Sequence, residues 1–349
     1  MRFLQLLAVV LLIVPTNGWA ASDRPSLGPI QNWLLLLNND LESEVVDEIA
    51  ASNHDMVVVD FLSSQHDVAS DKSASIVQKL RRRPNAQRRL VIAYLNIGQA
   101  ESYRKYWQKG WRIGKPSWVL GLDPDGWQDN YPVAYWSLGW KSKITGANGL
   151  ISSIQAAGFD GVYLDWVGGF EDESVMAAAK RDGVNAKRAM IEWVKEVSAF
   201  AKAQDPTFIV VAQNAAALLS EPDYLSAIDG VAHEDIWFTG AADGPEGDCP
   251  VPRTRDEVGS AAFLAKLSPA CKRSFDRDRA SAMRFVGEED IVPLLQFAHA
   301  EGKTVLTVDY ALHLENIAST QEVSRSFGFV PFTGARNLKA YVAPFFPVK

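Results

Sequence analysis

The sequence predicts an α/β fold, a single (β/α)8 TIM barrel, and two observations lead to that prediction. Short, β-branched apolar runs alternate with helical stretches along the chain, which is typical of parallel strands linked by helices. Eight such runs can be counted, and eight parallel strands close a barrel. The length of 349 residues suits one barrel with insertions, and a hydrophobic content of 47% is typical of a globular protein.

The eight runs are nearly continuously apolar, as expected for strands that are covered on both faces. They span residues 33–37, 56–61, 90–97, 161–166, 208–214, 231–238, 304–310 and 327–332. Among the intervening helices, one long helix is predicted over residues 175–203. Two connections are unusually long, residues 101–140 with six tryptophans and residues 239–283 with both cysteines. Long connections often form lids or binding loops, so we expect functional insertions after strands 3 and 6.

The N-terminus has the pattern of a secretory signal peptide over residues 1–20, followed by one domain over residues 21–349. Arg2 precedes an apolar stretch, and Gly18 and Ala20 provide the small residues of a cleavage site. The stretch is shorter than the roughly 20 residues of a membrane span. We therefore expect a secreted or periplasmic protein with no stable membrane span after cleavage; a retained anchor is the alternative. In an oxidising compartment Cys249 and Cys271 could form one disulfide, and two free thiols are the alternative.

Composition and missing motifs exclude several classes of function. The net charge of −7 argues against nucleic acid as a partner, because phosphate neutralisation needs clustered Lys and Arg. The one dense basic cluster, residues 81–83 with Arg88 and Arg89, is interpreted as a solvated helix end and loop. There is no G-x-S-x-G elbow, no glycine-rich phosphate loop and no H-E-x-x-H motif. We expect neither a metal nor a cofactor.

Polar residues end most of the eight runs, and in a TIM barrel the active site lies at this end of the strands. They are Asp60, Tyr94, Asn96, Asp165, Gln213, Asn214, Glu234, Asp309 and Tyr310. An unpaired carboxylate costs several kcal/mol to bury, so a rim with this many acidic groups predicts a wet cleft that has a function.

Asp165 and Glu234 are the candidates for catalysis. Asp165 closes its run directly before Trp166; a helix cap is the alternative interpretation. Glu234 lies within His233-Glu234-Asp235, and strand alternation predicts that it faces away from both neighbours and into the site; a solvated strand end is the alternative. Two carboxylates, one protonated and one ionised, are the usual apparatus of glycoside hydrolysis.

Two segments carry a resemblance to a known family. Residues 93–101, AYLNIGQAE, and residues 158–165, GFDGVYLD, are followed in order by Gln213-Asn214 and the strand with Glu234. Over roughly residues 33–310 the chain resembles the endo-α-1,4-polygalactosaminidase family of glycoside hydrolases, which are TIM barrels, and its uncharacterised bacterial relatives. The resemblance implies that Asp165 and Glu234 are the catalytic pair, with Asp165 as nucleophile and Glu234 as acid/base.

The same resemblance implies an endo-acting enzyme whose substrate is a galactosamine-containing polysaccharide. Free amines would make that partner a cationic galactosaminan, which suits an acidic rim. The residues predicted to line the substrate are Asp60, Tyr94, Asn96, Tyr163, Trp166, Asn214, Trp237, Asp309 and Tyr310. Trp107, Trp111, Trp127 and Trp136 could stack on sugar rings or pack the first insertion onto the barrel. A non-catalytic polysaccharide-binding barrel or matrix interaction protein, and an exo-acting or transglycosylating enzyme, are the alternative functions.

Overall fold

The structure is a computed structural model that describes residues 27–37, 41–60, 71–241, 244–277 and 286–345. Its eight-stranded sheet consists of β1 (Trp33–Leu36), β2 (Met56–Val59), β3 (Leu90–Asn96), β4 (Gly161–Asp165), β5 (Ile209–Gln213), β6 (Gly230–Glu234), β7 (Thr304–Asp309) and β8 (Val330–Thr333). Each strand pairs in parallel with the next along the chain. The predicted (β/α)8 barrel is therefore confirmed. The predicted signal peptide lies outside the described residues.

Trp33 connects the first strand to the last and so closes the barrel. Its indole Nε1 donates a hydrogen bond to the carbonyl of Val330 at 3.0 Å, and its ring centroid lies 5.6 Å from that of Phe332. Strand β8 begins at Val330 rather than at the predicted residue 327. The reason is that Phe327 and Gly328, with a φ of +80°, still belong to the end of the preceding helix.

Helices cover the outside of the barrel. In the described residues the α-helices span Ser43–Ala51, Asp71–Leu80, Leu138–Ile144, Leu150–Ala156, Glu173–Asp182, Ala186–Gln204, Pro222–Ala227, Ala261–Lys266, Pro269–Arg277, Val292–Ala300 and Leu314–Ser326. The single helix predicted over residues 175–203 is wrong. Gly183 ends the first helix with a φ of +68°, and the Asn185 side chain accepts the backbone N–H of Arg188 to begin the second. None of the helices within the described ranges has the length and hydropathy that a membrane crossing requires.

Both predicted insertions are present. The first contains a hairpin of Gln99–Glu101 with Asn130–Pro132. Its tryptophans mostly pack on each other: Trp111 contacts Trp107 and Trp118, at centroid distances of 5.4 and 4.9 Å. The second insertion follows β6 and is closed by the predicted disulfide between Cys249 and Cys271, which is confirmed.

The basic cluster lies at the opposite end of the barrel from the carboxyl ends of the strands. The expectation that it is solvated holds for the exposed Arg82 and Arg88 but is wrong for Arg89. Arg89 has no solvent exposure and donates to the carbonyls of Ser52, His54 and Leu80. Two other arginines of the cluster pair with the buried carboxylate of Asp160. These guanidinium groups bind backbone oxygens and a carboxylate that would otherwise be buried without partners.

Candidate active site

The fold brings Asp165 and Glu234 to the same rim. Asp165 is the last residue of β4 and Glu234 is the last residue of β6, so both lie at the carboxyl ends of parallel barrel strands. The two groups interact: beside burial, the charge of Glu234 contributes to raising the pKa of Asp165. The pKa of Tyr163, also on β4, is raised first by burial and then by the charges of both carboxylates.

Asp165 has a partly buried carboxyl group with one strong side-chain donor. The hydroxyl of Tyr94 donates to its Oδ2 at 2.6 Å. Burial raises the pKa of Asp165 to about 6, against the lowering effect of the Tyr94 hydrogen bond, because the surroundings disfavour the charged form. At mildly acidic pH this carboxyl group therefore holds a proton more readily than an ordinary aspartate.

Glu234 accepts from three side-chain donors, and its pKa is shifted in the opposite direction from that of Asp165. Its Oε1 accepts the amide of Asn214 at 2.8 Å, and its Oε2 accepts the hydroxyl of Tyr310 at 2.5 Å. Arg336 approaches the same Oε2 with its Nη1 at 3.2 Å. Burial alone would raise the pKa of Glu234, but the charge of Arg336 and the hydrogen bonds from Tyr310 and Asn214 hold it below its ordinary value.

Arg336 was missed by the sequence reasoning. It lies three residues after β8, and its guanidinium carbon is 4.9 Å from the centroid of the Tyr310 ring and 5.6 Å from that of Trp127. Trp127 is thus the tryptophan of the first insertion that lies against this site. The one available signal was position, because residues that directly follow the last barrel strand reach the same rim as the other strand ends.

The backbone is strained where the site is built. Trp166, Asn214, Ala215 and Asp235, which follow β4, β5 and β6, have φ values of 61°, 60°, 54° and 58°. Left-handed non-glycine residues cost about 1–3 kcal/mol each and cluster at functional sites. The turn at Trp166 needs a glycine beside it: a Cβ on Gly98 would lie 2.4 Å from the Trp166 carbonyl oxygen.

A cavity of about 770 Å³ opens beside Glu234. Its lining includes Asp125, Glu171, Asn214, His233, Glu234, Asp235 and Arg336 from the barrel rim and first insertion, and Cys249, Leu267, Cys271 and Phe275 from the second insertion. All three residues of His233-Glu234-Asp235 line this cavity, and the predicted orientation of His233 and Asp235 away from Glu234 stays a prediction. Regular alternation stops because β6 ends at Glu234 and Asp235 turns the chain with a left-handed backbone.

Asp309 holds the segment that follows Glu234. It has no solvent exposure, and its Oδ1 accepts the backbone N–H groups of Ile236, Trp237 and Phe238 at 3.1, 2.7 and 3.0 Å. These bonds explain why β6 ends at Glu234 rather than continuing to the predicted residue 238. Burial raises the pKa of Asp309 to about 7 although the three bonds lower it.

Two more of the predicted rim residues also have protein partners. Asp60 binds Arg104, whose Nη1 lies 2.7 Å from its Oδ1. Asn96 donates to Gln99 and its Oδ1 accepts the N–H of the same residue at 2.8 Å. As contacts to a sugar, all nine residues predicted to line the substrate stay predictions. Tyr94, Asn214 and Tyr310 directly contact the carboxylate pair.

Comparison with known proteins agrees with this architecture. The model of glycoside-hydrolase family GH114 matches residues 16–343. The chain belongs to family GH114. It is therefore assigned to the glycoside hydrolases, and the carboxylate rim described above is its candidate catalytic centre.

The chain is also similar to individual proteins, in sequence or in structure. An uncharacterised protein of Deinococcus radiodurans is 31% identical over 317 residues, 91% of this chain and 84% of the relative. A protein of Methanocaldococcus jannaschii is 32% identical over 205 residues, 57% of this chain and 56% of the relative. The glycoside hydrolase domain of PelA from Pseudomonas aeruginosa superimposes with a TM-score of 0.56 at 16% identity, covering 89% of this chain and 97% of that one. Ega3 of Aspergillus fumigatus superimposes with a TM-score of 0.52 at 14% identity, covering 94% and 100%. At these identities the two structures support the fold.

Proposed function

We propose that this GH114 chain is an endo-acting glycosidase that cleaves a galactosamine-containing polysaccharide with Asp165 and Glu234 as its catalytic carboxyl groups. The observation that carries the proposal is the contrast between the two groups. At one rim, burial raises the pKa of Asp165 to about 6, whereas Arg336 and two hydrogen bonds hold the pKa of Glu234 below its ordinary value. Hydrolysis of a glycosidic bond needs such a pair, one carboxyl group protonated and the other ionised.

The substrate class is supported by charge and by one structural relative. Asp125, Glu171, Glu234 and Asp235 line the cavity, and Arg336 is the cation among the described residues that line it. An acidic cavity of this kind attracts a polymer that carries ammonium groups. The Ega3 structure was determined in complex with galactosamine, an amino sugar.

The order of the two roles is a separate question, and the electrostatics favour the reverse of the order that the resemblance implies. Before substrate binds, Asp165 keeps its proton up to about pH 6 and Glu234 is ionised. That state has Asp165 as the proton donor and Glu234 as the carboxylate that attacks the sugar or activates water.

The test of the function is a product screen. Wild-type protein and the variants Asp165→Asn and Glu234→Gln are incubated with galactosaminan, partly acetylated galactosaminan and neutral glycans, and new reducing ends are measured. We expect cleavage of an amino polymer into oligosaccharides, reduced about 10³-fold in either variant. Glu192→Gln, on an exposed helix face, is the matched control and should retain wild-type activity. Wild-type rates in either site variant on a cleaved substrate would remove the mechanism, and binding without cleavage by the wild type would favour a binding protein.

The roles can be separated with a substrate whose leaving group needs no protonation. Activated aryl or fluoride glycosides should restore the rate of the variant that lacks the proton donor, but not of the variant that lacks the other carboxylate. Rescue of Asp165→Asn supports the electrostatic order, and rescue of Glu234→Gln supports the order implied by the resemblance.

A further inference from the structure

The first insertion contains a strongly basic segment in a chain that is acidic as a whole. Residues 102–122 include five Lys and Arg residues and no Asp or Glu, whereas the complete chain has 35 basic and 42 acidic residues. The polymer proposed as substrate carries ammonium groups, so this segment would repel it. A concentration of positive charge attracts a negatively charged partner. The partner of this segment is therefore a different molecule from the substrate.

Four cations lie near Trp111 in the chain or in space, and none of them forms an ion pair with a carboxylate of the described residues. Lys109, Arg112 and Lys115 are exposed. Lys143, from the helix that follows the insertion, has its Nζ 5.8 Å from the centroid of the Trp111 ring. Their charge is therefore available to an external anion.

An aliphatic side chain lies at the tip of a turn between two of these cations. Arg112 and Lys115 exchange backbone hydrogen bonds of 2.8 Å in both directions, and Gly114 between them has a φ of +76°. Ile113, the other residue of the tip, is 48% exposed. A single exposed apolar residue is common on a protein surface, but one flanked by long basic side chains has the amphipathic character of a segment that lies in a membrane interface.

The aromatic rings of the segment pack against each other beneath the turn. Trp107 stacks on Tyr131 at a centroid distance of 4.9 Å, and Trp111 makes edge contacts with Trp107 and Trp118. Lys143 lies over the ring of Trp111. The segment therefore offers cations and an aliphatic tip rather than a row of open aromatic faces, and this favours a lipid surface over an acidic polysaccharide as its partner.

The acidic residues of the same insertion have other contacts. Asp125 lines the cavity beside the candidate catalytic pair, and Glu101 is buried. Asp123 and Asp129 accept hydrogen bonds from neighbouring polar side chains at 2.6 and 2.8 Å. The insertion thus has an acidic part that contributes to the cavity and a basic part around the turn.

We propose that the turn of residues 112–115, together with Lys109 and Lys143, is a docking surface for a bilayer that contains anionic lipids. The cations attract headgroup phosphates, and Ile113 enters the boundary between headgroups and acyl chains. Each Lys or Arg near an anionic surface strengthens binding by about fivefold. Binding is peripheral and reversible, because one aliphatic side chain buries far less apolar area than an anchor does.

The experiment measures co-sedimentation of the full chain with two kinds of vesicle, phosphatidylcholine alone and an equal mixture of phosphatidylcholine and phosphatidylglycerol. The wild type should bind the mixed vesicles more tightly than the neutral ones, and this preference should be lost when the salt concentration is raised from about 0.05 M to about 0.5 M. The double variant Arg112→Gln/Lys115→Gln should bind mixed vesicles about 25-fold more weakly, since two cations are removed.

The matched control is Lys272→Gln/Arg273→Gln, which makes the same change in net charge on exposed residues of the second insertion. It should bind within about twofold of the wild type, because these cations lie outside the docking surface. All variants have the same N-terminus, so its apolar residues contribute equally to every measurement. Thermal unfolding of each variant shows that the fold is retained. The variant Ile113→Ser should bind about fivefold more weakly even at high salt, because its loss is apolar.

Equal losses in the two double variants, equal binding of the wild type to both kinds of vesicle, or an unchanged affinity in Ile113→Ser would overturn the inference. Polygalacturonate, a polyanion without acyl chains, is the probe for the other class of partner. If the wild type binds this polymer and not the mixed vesicles, and Arg112→Gln/Lys115→Gln loses that binding, the surface binds acidic polysaccharide and the lipid assignment is wrong. Cleavage of the substrate is not part of any of these measurements, so their outcome is independent of the proposed function.

Discussion

Replacement of Arg336 should mainly change the pH dependence of the reaction. The Nη1 atom lies 3.2 Å from Oε2 of Glu234 in a partly buried pair. Two unit charges at that distance interact by about 5 kcal/mol at an effective dielectric constant of about 20. The guanidinium charge is delocalised, and the hydrogen bonds from Tyr310 and Asn214 remain when Arg336 is replaced. We therefore use the smaller pKa shift that is observed for carboxylates beside arginine. Arg336→Gln should therefore raise the pKa of Glu234 by about 1–3 units.

The sign of the effect on activity follows from that shift. Wild-type kcat/KM should have an acid limb set by Glu234, below the ordinary pKa of a glutamate, and an alkaline limb near pH 6 set by Asp165. In Arg336→Gln the acid limb moves up toward the alkaline limb, so the active range narrows and kcat/KM at pH 4 to 5 falls by about tenfold or more.

The assay measures release of reducing ends from a soluble oligosaccharide between pH 3 and pH 8. Arg336→Lys keeps the charge and should keep the acid limb within about one pH unit of the wild type. An acid limb that does not move in Arg336→Gln would refute the electrostatic account of Glu234.

Two further predictions concern stability. Burial gives Asp309 a folded-state pKa of about 7 against an ordinary value near 4, so the folded protein holds this proton more tightly than the unfolded chain. The free energy of unfolding should therefore fall by about 4 kcal/mol as the pH rises from 4 to 8. Chemical denaturation of Asp309→Asn should show that this pH dependence is lost. Loss of the disulfide between Cys249 and Cys271, whose sequence separation is 22, should lower stability by about 3 kcal/mol in a double serine variant. Because both cysteines line the cavity, the same variant should also have a raised KM; unchanged unfolding and an unchanged KM would contradict this account of the insertion.

Periodicity and turn chemistry account for what the sequence could predict of the fold. The apolar runs located all eight strands, since strands buried on both faces consist of continuous apolar residues that local reading detects. The long helix was misjudged because Gly183 looks like a tolerated interruption, and only the capping bond of Asn185 shows that the chain begins a second helix there. Arg89 was misjudged because burial of a guanidinium depends on three carbonyls that are 9, 35 and 37 residues away in sequence.

The candidate site also contains some residues that the sequence could predict and others that it could not. Residues that end strands, such as Tyr94, Asn214 and Tyr310, were accessible to prediction because strand ends share one rim, and the structure places each of them on a carboxylate of the pair. Arg336 lies 102 positions from Glu234 and could be paired with it only in three dimensions. The turn at Asp235 could not be predicted, because strand alternation gives no information on the backbone beyond the end of the strand.

The central claim is that Asp165 and Glu234 act together on one glycosidic bond. A crystal structure of Glu234→Gln with a galactosamine oligosaccharide tests it most directly. The account predicts that the chain crosses the rim with one glycosidic linkage between residues 165 and 234, its oxygen within hydrogen-bond distance of one side chain and its anomeric carbon facing the other. An oligosaccharide that binds elsewhere on the barrel, or passes only one of the two residues, would contradict the claim.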